Sequence, residues 1–409
     1  MHMPHIRPRQ VQGAFEKLCA HSPIVGIFGH RQVGKTTFLE SVAKDYISLD
    51  DFTEARAAQK NPKTFLRKLN GSLSAIDECQ LAPALFPALK LRVQKQKNPG
   101  QFLLSGSVRF TSRKAIRESL TGRIATIELF PFILSEIRSD SLPDFLIRAL
   151  EASGFSGFQV TTGLSGGERR SRQKDYEKYL EFGGLPGICF VREPQTQSRL
   201  LQDVIRTILD RDLRLIYETP LPYSDLIRLS NEIAEQPMSP IEISRLSRAT
   251  GAAPRTIKHL INAMEAIFLL RRIPIEGGGS KGDLLWFEDQ FEQNFLSKSR
   301  LSIETKRIGL AYRNARAQFE YRLGATPEYF HYRTRAGATI PIAIRTEAGV
   351  LGILPLASAE NLTRIEKSAI SSFLRAYNRS KVLVTTDKPE PNITVIDDRV
   401  LLAPVTYIY

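Results

Sequence analysis

The first third of the chain alternates short apolar runs with polar or glycine-rich stretches. Five of these runs predict buried strands, at residues 23–28, 46–50, 73–76, 102–104 and 124–129. Residues 37–45, which follow the first run and its loop, favour a helix. Strands that alternate with helices pack as a parallel sheet covered by helices, so the pattern predicts an α/β fold.

The loop after the first predicted strand has the sequence Gly-His-Arg-Gln-Val-Gly-Lys-Thr-Thr, which fits the phosphate-loop pattern. Its glycines let the backbone approach phosphate oxygens, and N–H groups at a helix N-terminus point at the anion. Lys35 is placed to reach the β- and γ-phosphates, and the Thr36 hydroxyl to ligate Mg²⁺. We predict that the loop binds a nucleoside triphosphate. The predicted cofactor-binding residues are Gly29, His30, Arg31, Gln32, Val33, Gly34, Lys35, Thr36 and Thr37.

Two acids follow the third predicted strand. Asp77 is the candidate for the carboxylate that orients Mg²⁺, and Glu78 is the candidate for the base that polarises the attacking water. Adjacent residues at a strand end can divide these roles because their side chains point to opposite faces. The alternative is that the pair only caps a helix. The strand inserted at residues 46–50, together with Glu78, indicates the ATPase branch with an additional strand.

Two further residues are candidates for the catalytic site. Ser107 follows the fourth predicted strand, where a hydroxyl can sense the γ-phosphate or hold the attacking water. Arg123 precedes the fifth strand and can supply the guanidinium that neutralises transition-state charge, in the same chain or in a neighbour. The alternative for Arg123 is an ordinary surface arginine.

Composition adds bounds on domain number and on partners. The 409 residues predict two to four domains, since a single core rarely grows beyond about 300 residues. No apolar run is long enough for a membrane span, and three scattered cysteines suit a reducing cytoplasm, so we expect a cytoplasmic protein. The net charge of +14 makes double-stranded DNA a candidate partner beside ATP and ADP.

The middle of the chain has helical periodicity from residue 169 to about 237, which predicts a helical lid. A segment at residues 164–169, Leu-Ser-Gly-Gly-Glu-Arg, resembles the signature of transporter-type ATP cassettes. It follows Asp77 instead of preceding it, so we interpret it as a flexible linker.

Residues 238–275 predict a winged helix-turn-helix: a helix from residue 240, a turn at 251–254, a second helix at 255–269 and a strand. Arg255, Lys258 and His259 lie on the face of the second helix that would meet a major groove. The alternative is that this module is a lid or a protein-docking surface.

In this order, the motifs resemble prokaryotic AAA-type ATPases with a winged-helix module and a C-terminal domain related to restriction endonucleases. The resemblance implies ATP binding with Mg²⁺ and slow hydrolysis. The matching segments are residues 29–37, 49–51, 77–80, 104–107, 119–123 and 183–186.

The C-terminal region departs from that family. Related chains carry a glutamate on an early helix, an acidic pair in a strand and Glu-x-Lys on the next strand, which hold a divalent metal. Here the corresponding positions are Arg313, Thr339, Pro341, Leu354 and Leu356. Arginine, proline and leucine cannot hold a metal, so we expect a nuclease-like scaffold without the chemistry, whose use is structural, regulatory or the binding of a protein partner.

The predicted organisation is a P-loop ATPase core (1–137), a linker and helical lid (138–237), a winged helix (238–285) and a degenerate nuclease-like α+β domain (286–409). The first functional hypothesis is a Mg²⁺-dependent ATPase switch. The second is a DNA-associated regulator that uses ATP binding as a toggle with negligible turnover. The third, an ATP-driven nuclease, is disfavoured by the missing acids.

Overall fold

The structure is a computed structural model. It describes residues 6–109, 119–158, 164–278, 282–324, 327–358, 362–387 and 393–409. Within these ranges, no helix has both the length and the apolar character that crossing a bilayer requires.

Five parallel strands form the sheet that the apolar runs predict. They are β1 (Ile24–Phe28), β2 (Asp45–Ser48), β3 (Ser74–Asp77), β4 (Phe102–Gly106) and β5 (Ile124–Glu128). Their order across the sheet is β2-β3-β4-β1-β5. The strand predicted at 46–50 is the edge strand β2, and the strand that separates β1 from β3 is β4. The parallel α/β fold is confirmed.

Helices cover both faces of this sheet because its strands alternate their apolar side chains between the two faces. Val25 and Ile27 pack with α1 (Gln12–His21) and α2 (Lys35–Val42). Ile24 packs on the opposite face, in an apolar cluster with residues of three further helices. These helices are α3 (Phe52–Lys60), α4 (Pro62–Arg67) and α5 (Leu85–Lys95).

The middle of the chain is helical, as its periodicity predicts. Its elements are α6 (Leu134–Arg138), α7 (Phe145–Glu151), α8 (Gly166–Phe182), α9 (Pro194–Thr207), a π-helical turn (Ile208–Asp212), α10 (Leu213–Ile216) and α11 (Tyr223–Ala234). The interpretation of residues 164–169 as a flexible linker is wrong. Ser165 caps α8, accepting a hydrogen bond from the Glu168 N–H (3.2 Å), and the Glu168 carboxylate accepts one from the Ser165 N–H (2.7 Å).

Two helices and a β-hairpin follow. The helices are α12 (Ile243–Thr250) and α13 (Pro254–Ala266), and the hairpin is β6 (Leu270–Glu276) with β7 (Asp283–Phe287). β6 also pairs in parallel with β8 (Glu328–Arg333), through Ile275 and Glu276. The hairpin is therefore an edge of the C-terminal sheet.

Besides β6, β7 and β8, the C-terminal sheet contains β9 (Thr339–Thr346), β10 (Gly349–Leu356), β11 (Ser380–Thr386), β12 (Thr394–Asp397) and β13 (Val400–Pro404). The order across the sheet is β12-β13-β11-β10-β9-β8-β6-β7. The helices of this region are α14 (Gln290–Leu296), α15 (Ile303–Leu323), α16 (Arg364–Ala376) and α17 (Val405–Ile408). α15 packs on one face of the sheet through Ile344 and Ile353, and α16 packs on the other through Val350 and Val384.

α15 belongs to both halves of the molecule. It is buried almost all round from Ile308 to Phe319. Besides packing on the C-terminal sheet, its Asn314 Oδ1 accepts a hydrogen bond from the Leu134 N–H (3.0 Å), and its Tyr321 hydroxyl donates to the Glu128 carbonyl (3.0 Å). The C-terminal half is thus packed directly onto the N-terminal sheet, at the end of β5.

Beside these contacts lies an ionic cluster of three guanidinium groups and two shared carboxylates, in which Arg316 and Glu288 are buried and the other groups are partly buried. Glu128 at the end of β5 pairs with Arg271 of β6 (2.7 Å), Arg316 of α15 (3.3 Å) and Arg109 (3.2 Å). Glu288, directly after β7, pairs with the same three arginines at 2.7–3.4 Å. Burial opposes ionisation of Glu128, but the arginines outweigh it and hold its pKa far below the usual value. The cluster ties the N-terminal sheet to both the hairpin and α15.

We expect Glu288→Gln to destabilise the fold, because it removes the buried carboxylate that pairs with the buried Arg316 and with the partly buried Arg109 and Arg271. Breaking a buried pair costs about 3–5 kcal/mol, so the midpoint of thermal or urea unfolding should fall clearly. Arg228→Ala is the matched control, since its contact with Asp225 is an exposed pair at 3.9 Å worth at most about 1 kcal/mol. Equal midpoints for the two variants would contradict a structural role for the cluster.

Candidate active site

The glycine loop connects β1 to α2 at the carboxyl edge of the N-terminal sheet. Its backbone is left-handed at Gln32 (φ 61°) and at Gly34 (φ 89°), the residue before α2. The first turn of α2 contains no acidic side chain, so its positive dipole end is not neutralised there. This geometry is suited to binding phosphate.

Lys35 is buried within the loop. Its ammonium group donates to the Gly29 carbonyl (3.1 Å) and to the His30 carbonyl (2.8 Å). Burial lowers the pKa of Lys35, and the nearby Glu78 and Asp77 oppose that effect. A cation that is already desolvated and placed beside the loop can bind a polyphosphate strongly.

Asp77 accepts hydrogen bonds from several hydroxyl groups. Its carboxylate accepts from Thr36 Oγ1 (2.6 Å), from the Tyr46 hydroxyl (2.9 Å) and from Ser105. The sequence assigned Thr36 and Asp77 to Mg²⁺, and the structure brings them together. Both supply oxygen atoms, the donors that Mg²⁺ prefers, and Mg²⁺ commonly takes its other ligands from substrate phosphates and water. The residues present therefore fit the ion.

Glu78 lies beside Asp77 in a left-handed conformation (φ 52°), which turns the chain sharply after β3. Its carboxylate accepts a hydrogen bond from the Gln80 amide, and the same amide nitrogen lies 3.4 Å from Ser107 Oγ. Burial raises the pKa of Glu78, although Lys35 and Gln80 oppose this effect. A partly buried carboxylate with a raised pKa is suited to general-base chemistry.

Arg123 is not brought to this site. It precedes Ile124, which pairs with Ile24 at the start of β1, whereas the glycine loop follows Phe28 at the other end. At about 3.3 Å per residue, the two edges are roughly 16 Å apart. Arg123 donates to the Thr121 carbonyl (3.2 Å). In this chain the geometry does not support Arg123 as a group that contacts the same molecule's nucleotide.

The structure also identifies contacts that the sequence pattern did not reveal. Arg9 donates to the Val33 carbonyl (2.6 Å) and to the Phe130 carbonyl (2.6 Å), so it fixes the glycine loop from the N-terminal side. Arg31 pairs with Asp212 (2.9 Å), and His30 lies 3.1 Å from a Glu292 oxygen. None of these partners lies near the loop in sequence, and no motif marks them.

The Gly-Gly-Leu-Pro segment at residues 183–186 is a structural turn after α8. Gly183 has φ 65°, and the Gly184 N–H donates to the Asp289 carboxylate (2.8 Å). The Gly184 carbonyl accepts from the Phe132 N–H (2.7 Å). A side chain at Gly184 would collide with the Phe132 carbonyl, so this position requires glycine.

The predicted nucleic-acid residues lie together on one surface of α13. Arg255, Lys258 and His259 are all exposed, while Ile257 and Leu260 are buried. The His259 ring stacks on Tyr217 with centroids 5.4 Å apart. The helix therefore has the buried and exposed faces that its periodicity predicts.

The five positions that the sequence resemblance aligns with nuclease ligands lie on α15, β9 and β10. Arg313 is buried and donates to Gln290 Oε1 (2.7 Å) and the Glu288 carbonyl (3.3 Å). Leu354 packs in the apolar cluster beneath α16. Thr339 and Pro341 lie in β9, and Leu356 ends β10. Across the described ranges, no group of three or more His, Cys, Asp or Glu side chains is placed to hold a metal ion.

Comparison with protein families assigns two segments of the chain. Residues 21–138 match the AAA domain, and residues 173–275 match a domain of unknown function, DUF8612. The N-terminal unit is thus an AAA-type P-loop domain. The second segment spans the chain from within α8 through α13 and most of β6.

Two curated relatives are the uncharacterized proteins Mb2031c of Mycobacterium bovis and Rv2008c of Mycobacterium tuberculosis. Each is 24% identical over 271 residues, which cover 66% of this chain and 53% of the relative. The chain therefore spans about half the length of the curated relatives it matches.

Solved structures give weaker similarities. A signal-transduction ATPase with a tetratricopeptide repeat sensor from Pyrococcus horikoshii has 11% identity and a TM-score of 0.28, covering 78% of this chain and 48% of that one. AMPPCP-bound DnaA from Aquifex aeolicus has 14% identity and a TM-score of 0.22, covering 62% and 85%. Scores this low do not establish a shared overall fold.

Proposed function

We propose that this chain is an ATP-binding molecular switch that hydrolyses ATP slowly with Mg²⁺. The observation that carries the proposal is the placement of four side chains at one edge of a parallel sheet, within an AAA-type domain. These are Lys35, Thr36, Asp77 and Glu78.

Each of these groups has a distinct role in the proposed reaction. The N–H groups of the glycine loop and the Lys35 ammonium bind the β- and γ-phosphates. Mg²⁺, held through Thr36 and Asp77, would neutralise charge on the phosphate oxygens. Glu78 accepts the proton of the attacking water, and Gln80 with Ser107 fixes the position of that carboxylate.

The rest of the chain serves, in this proposal, as the element that responds to the nucleotide. α12, α13 and the β6–β7 hairpin have the order of a winged helix, and we assign them to that class. α15, β8, β9, β10, α16 and β11 follow the order expected of a restriction-endonuclease-like scaffold, without its metal ligands. We propose that this scaffold is non-catalytic and binds a protein partner.

A second candidate function is a DNA-associated regulator whose affinity is toggled by ATP binding. The observation that favours it is a set of contacts between the segment that follows Ser107 and the C-terminal end of α13. Arg109, two residues after Ser107, donates to the Glu265 carbonyl (2.7 Å), and its N–H donates to the Ala266 carbonyl (2.7 Å). Arg109 also lies over the Phe268 ring at 4.2 Å.

Glu78→Gln should retain ATP binding and reduce turnover by about 100-fold or more, because the amide keeps the shape of the side chain but cannot accept a proton. ATP affinity by calorimetry and phosphate release under saturating ATP measure the two effects. Glu40→Gln, on the exposed side of α2, is the control and should behave as wild type. Undiminished turnover in Glu78→Gln would remove Glu78 from its assigned role.

The fall of turnover at low pH should also reflect the protonation of Glu78. The base must be ionised, and burial raises its pKa above the usual 4.5, so turnover should begin to fall at a higher pH than an exposed carboxyl would give. The measurement is phosphate release at saturating ATP and Mg²⁺, from about pH 4 to about pH 8, a range that spans the ordinary carboxyl value and any raised one. If turnover falls with the ordinary pKa of a carboxyl group, burial does not raise the pKa of Glu78 as we expect.

Arg255→Ala combined with Lys258→Ala should weaken binding to duplex DNA and reduce its salt dependence. Removing one phosphate contact reduces the steepness of log K against log salt by about 0.9. The control is Lys60→Ala with Lys63→Ala, which removes the same charge from an exposed part of the AAA domain. If the α13 variant and the control bind equally, the module is a lid or a docking surface instead.

A further inference from the structure

The glycine loop is held by side chains from outside the AAA domain. His30, the second residue of the loop, is 2% exposed, and its Nε2 atom lies 3.1 Å from an oxygen of Glu292. Glu292 lies on α14 and is fully buried. The neighbouring loop residue, Arg31, pairs through its Nε atom with Asp212 of the π-helical turn at 2.9 Å, and Asp212 is 3% exposed. Both carboxylates thus come from later segments of the chain.

The hydrogen bonding of His30 shows why Glu292 matters to it. Its Nδ1 atom lies 2.7 Å from the Arg31 carbonyl, which can only accept a hydrogen bond, so Nδ1 is the donor there. Its Nε2 atom faces a carboxylate, which also favours a proton on that nitrogen. Burial lowers the pKa of His30, but the Glu292 carboxylate and the Arg31 carbonyl outweigh it and leave the pKa raised. Burial also raises the pKa of Glu292, with His30 opposing it, so the pair is satisfied by a proton held between Nε2 and the Glu292 carboxyl group.

The facing atoms of this pair have no other partner within the described part of the chain. The Nε2 atom of His30 and both oxygens of Glu292 are buried and make no hydrogen bond of good geometry. The attraction between these two side chains, whose nearest atoms are 3.1 Å apart, offsets the cost of burying them. A buried charge that depends on one partner is sensitive to removal of that partner.

Other contacts also hold the loop: Lys35 donates to the Gly29 and His30 carbonyls, and Val33 is buried in the core. The loop runs from Gly29 to Gly34 between β1 and α2, with a left-handed residue at Gln32. On its N-terminal side, Arg9 binds the Val33 carbonyl. This contact and the pairs made by Glu292 and Asp212 together fix the loop at three positions. Fixing a loop in its binding conformation reduces the ordering cost of binding.

We propose that Glu292 and Asp212 are positioning residues of the nucleotide site, which hold His30 and Arg31 so that the loop N–H groups remain aimed at the phosphates. The inference rests on the proposed ATP binding and extends it to residues outside the AAA domain. It follows that ATP affinity depends on how the lid and α14 sit against the loop.

The test measures ATP affinity by calorimetry and saturating turnover for Glu292→Gln and Asp212→Asn in the full chain. Both changes keep side-chain size and remove charge. We expect ATP to bind about tenfold more weakly in each variant, while turnover at saturating ATP changes by less than about twofold. Glu304→Gln, an exposed acid on α15, is the control and should match wild type.

The possible outcomes separate this inference from the proposed function. Failure of the wild-type protein to bind ATP would overturn both. If the wild type binds ATP and folded Glu292→Gln and Asp212→Asn bind it equally well, the positioning role is wrong and ATP binding stands. Lower unfolding midpoints with unchanged affinity would mean a purely structural role and would also overturn it. If Glu292→Gln does not fold, unchanged affinity in Asp212→Asn decides against the inference.

Discussion

The two carboxylates Glu128 and Glu288 are the constraint on which the arrangement of the whole chain depends. Each is paired with the same three arginines, contributed by the segment after β4, by β6 and by α15. Removing these charges from water is costly, and the cost is recovered only when all the partners are in place. The cluster therefore specifies one way of packing the AAA domain against the hairpin and α15. It also lies at the end of β5, one strand away from the loop that follows β1.

Much of the N-terminal fold was predictable because its signals are local. Short apolar runs bounded by glycine or polar residues specified all five strands to within a few residues, since a buried strand has few alternatives. These runs did not predict the order of the strands in the sheet, in which β2 is the edge strand and β4 lies between β1 and β3. The start of α8 was misjudged, because a glycine pair suggested a linker while Ser165 and Glu168 form a capping box.

The candidate site likewise contains residues that the sequence predicts and residues that only the structure reveals. Lys35, Thr36, Asp77 and Glu78 follow directly from motifs whose spacing is fixed by strand and helix geometry. Arg123 has the right chemistry, but the direction of β5 places it at the opposite edge of the sheet. The partners of His30 and Arg31 are contributed by α14 and by the π-helical turn. A contact between residues so far apart leaves no periodic or compositional trace in one sequence, so only the tertiary structure reveals it.

The strand β6 has a mechanical consequence for the molecule. It forms a hairpin with β7 and a parallel ladder with β8, so the module containing α13 shares backbone hydrogen bonds with the C-terminal sheet. A rotation of the β6–β7 hairpin relative to that sheet would have to break these main-chain pairs, which are costly to leave unsatisfied when buried. The hairpin and the C-terminal sheet therefore move as one body, and any torque on the hairpin would be transmitted through the backbone to the whole C-terminal sheet.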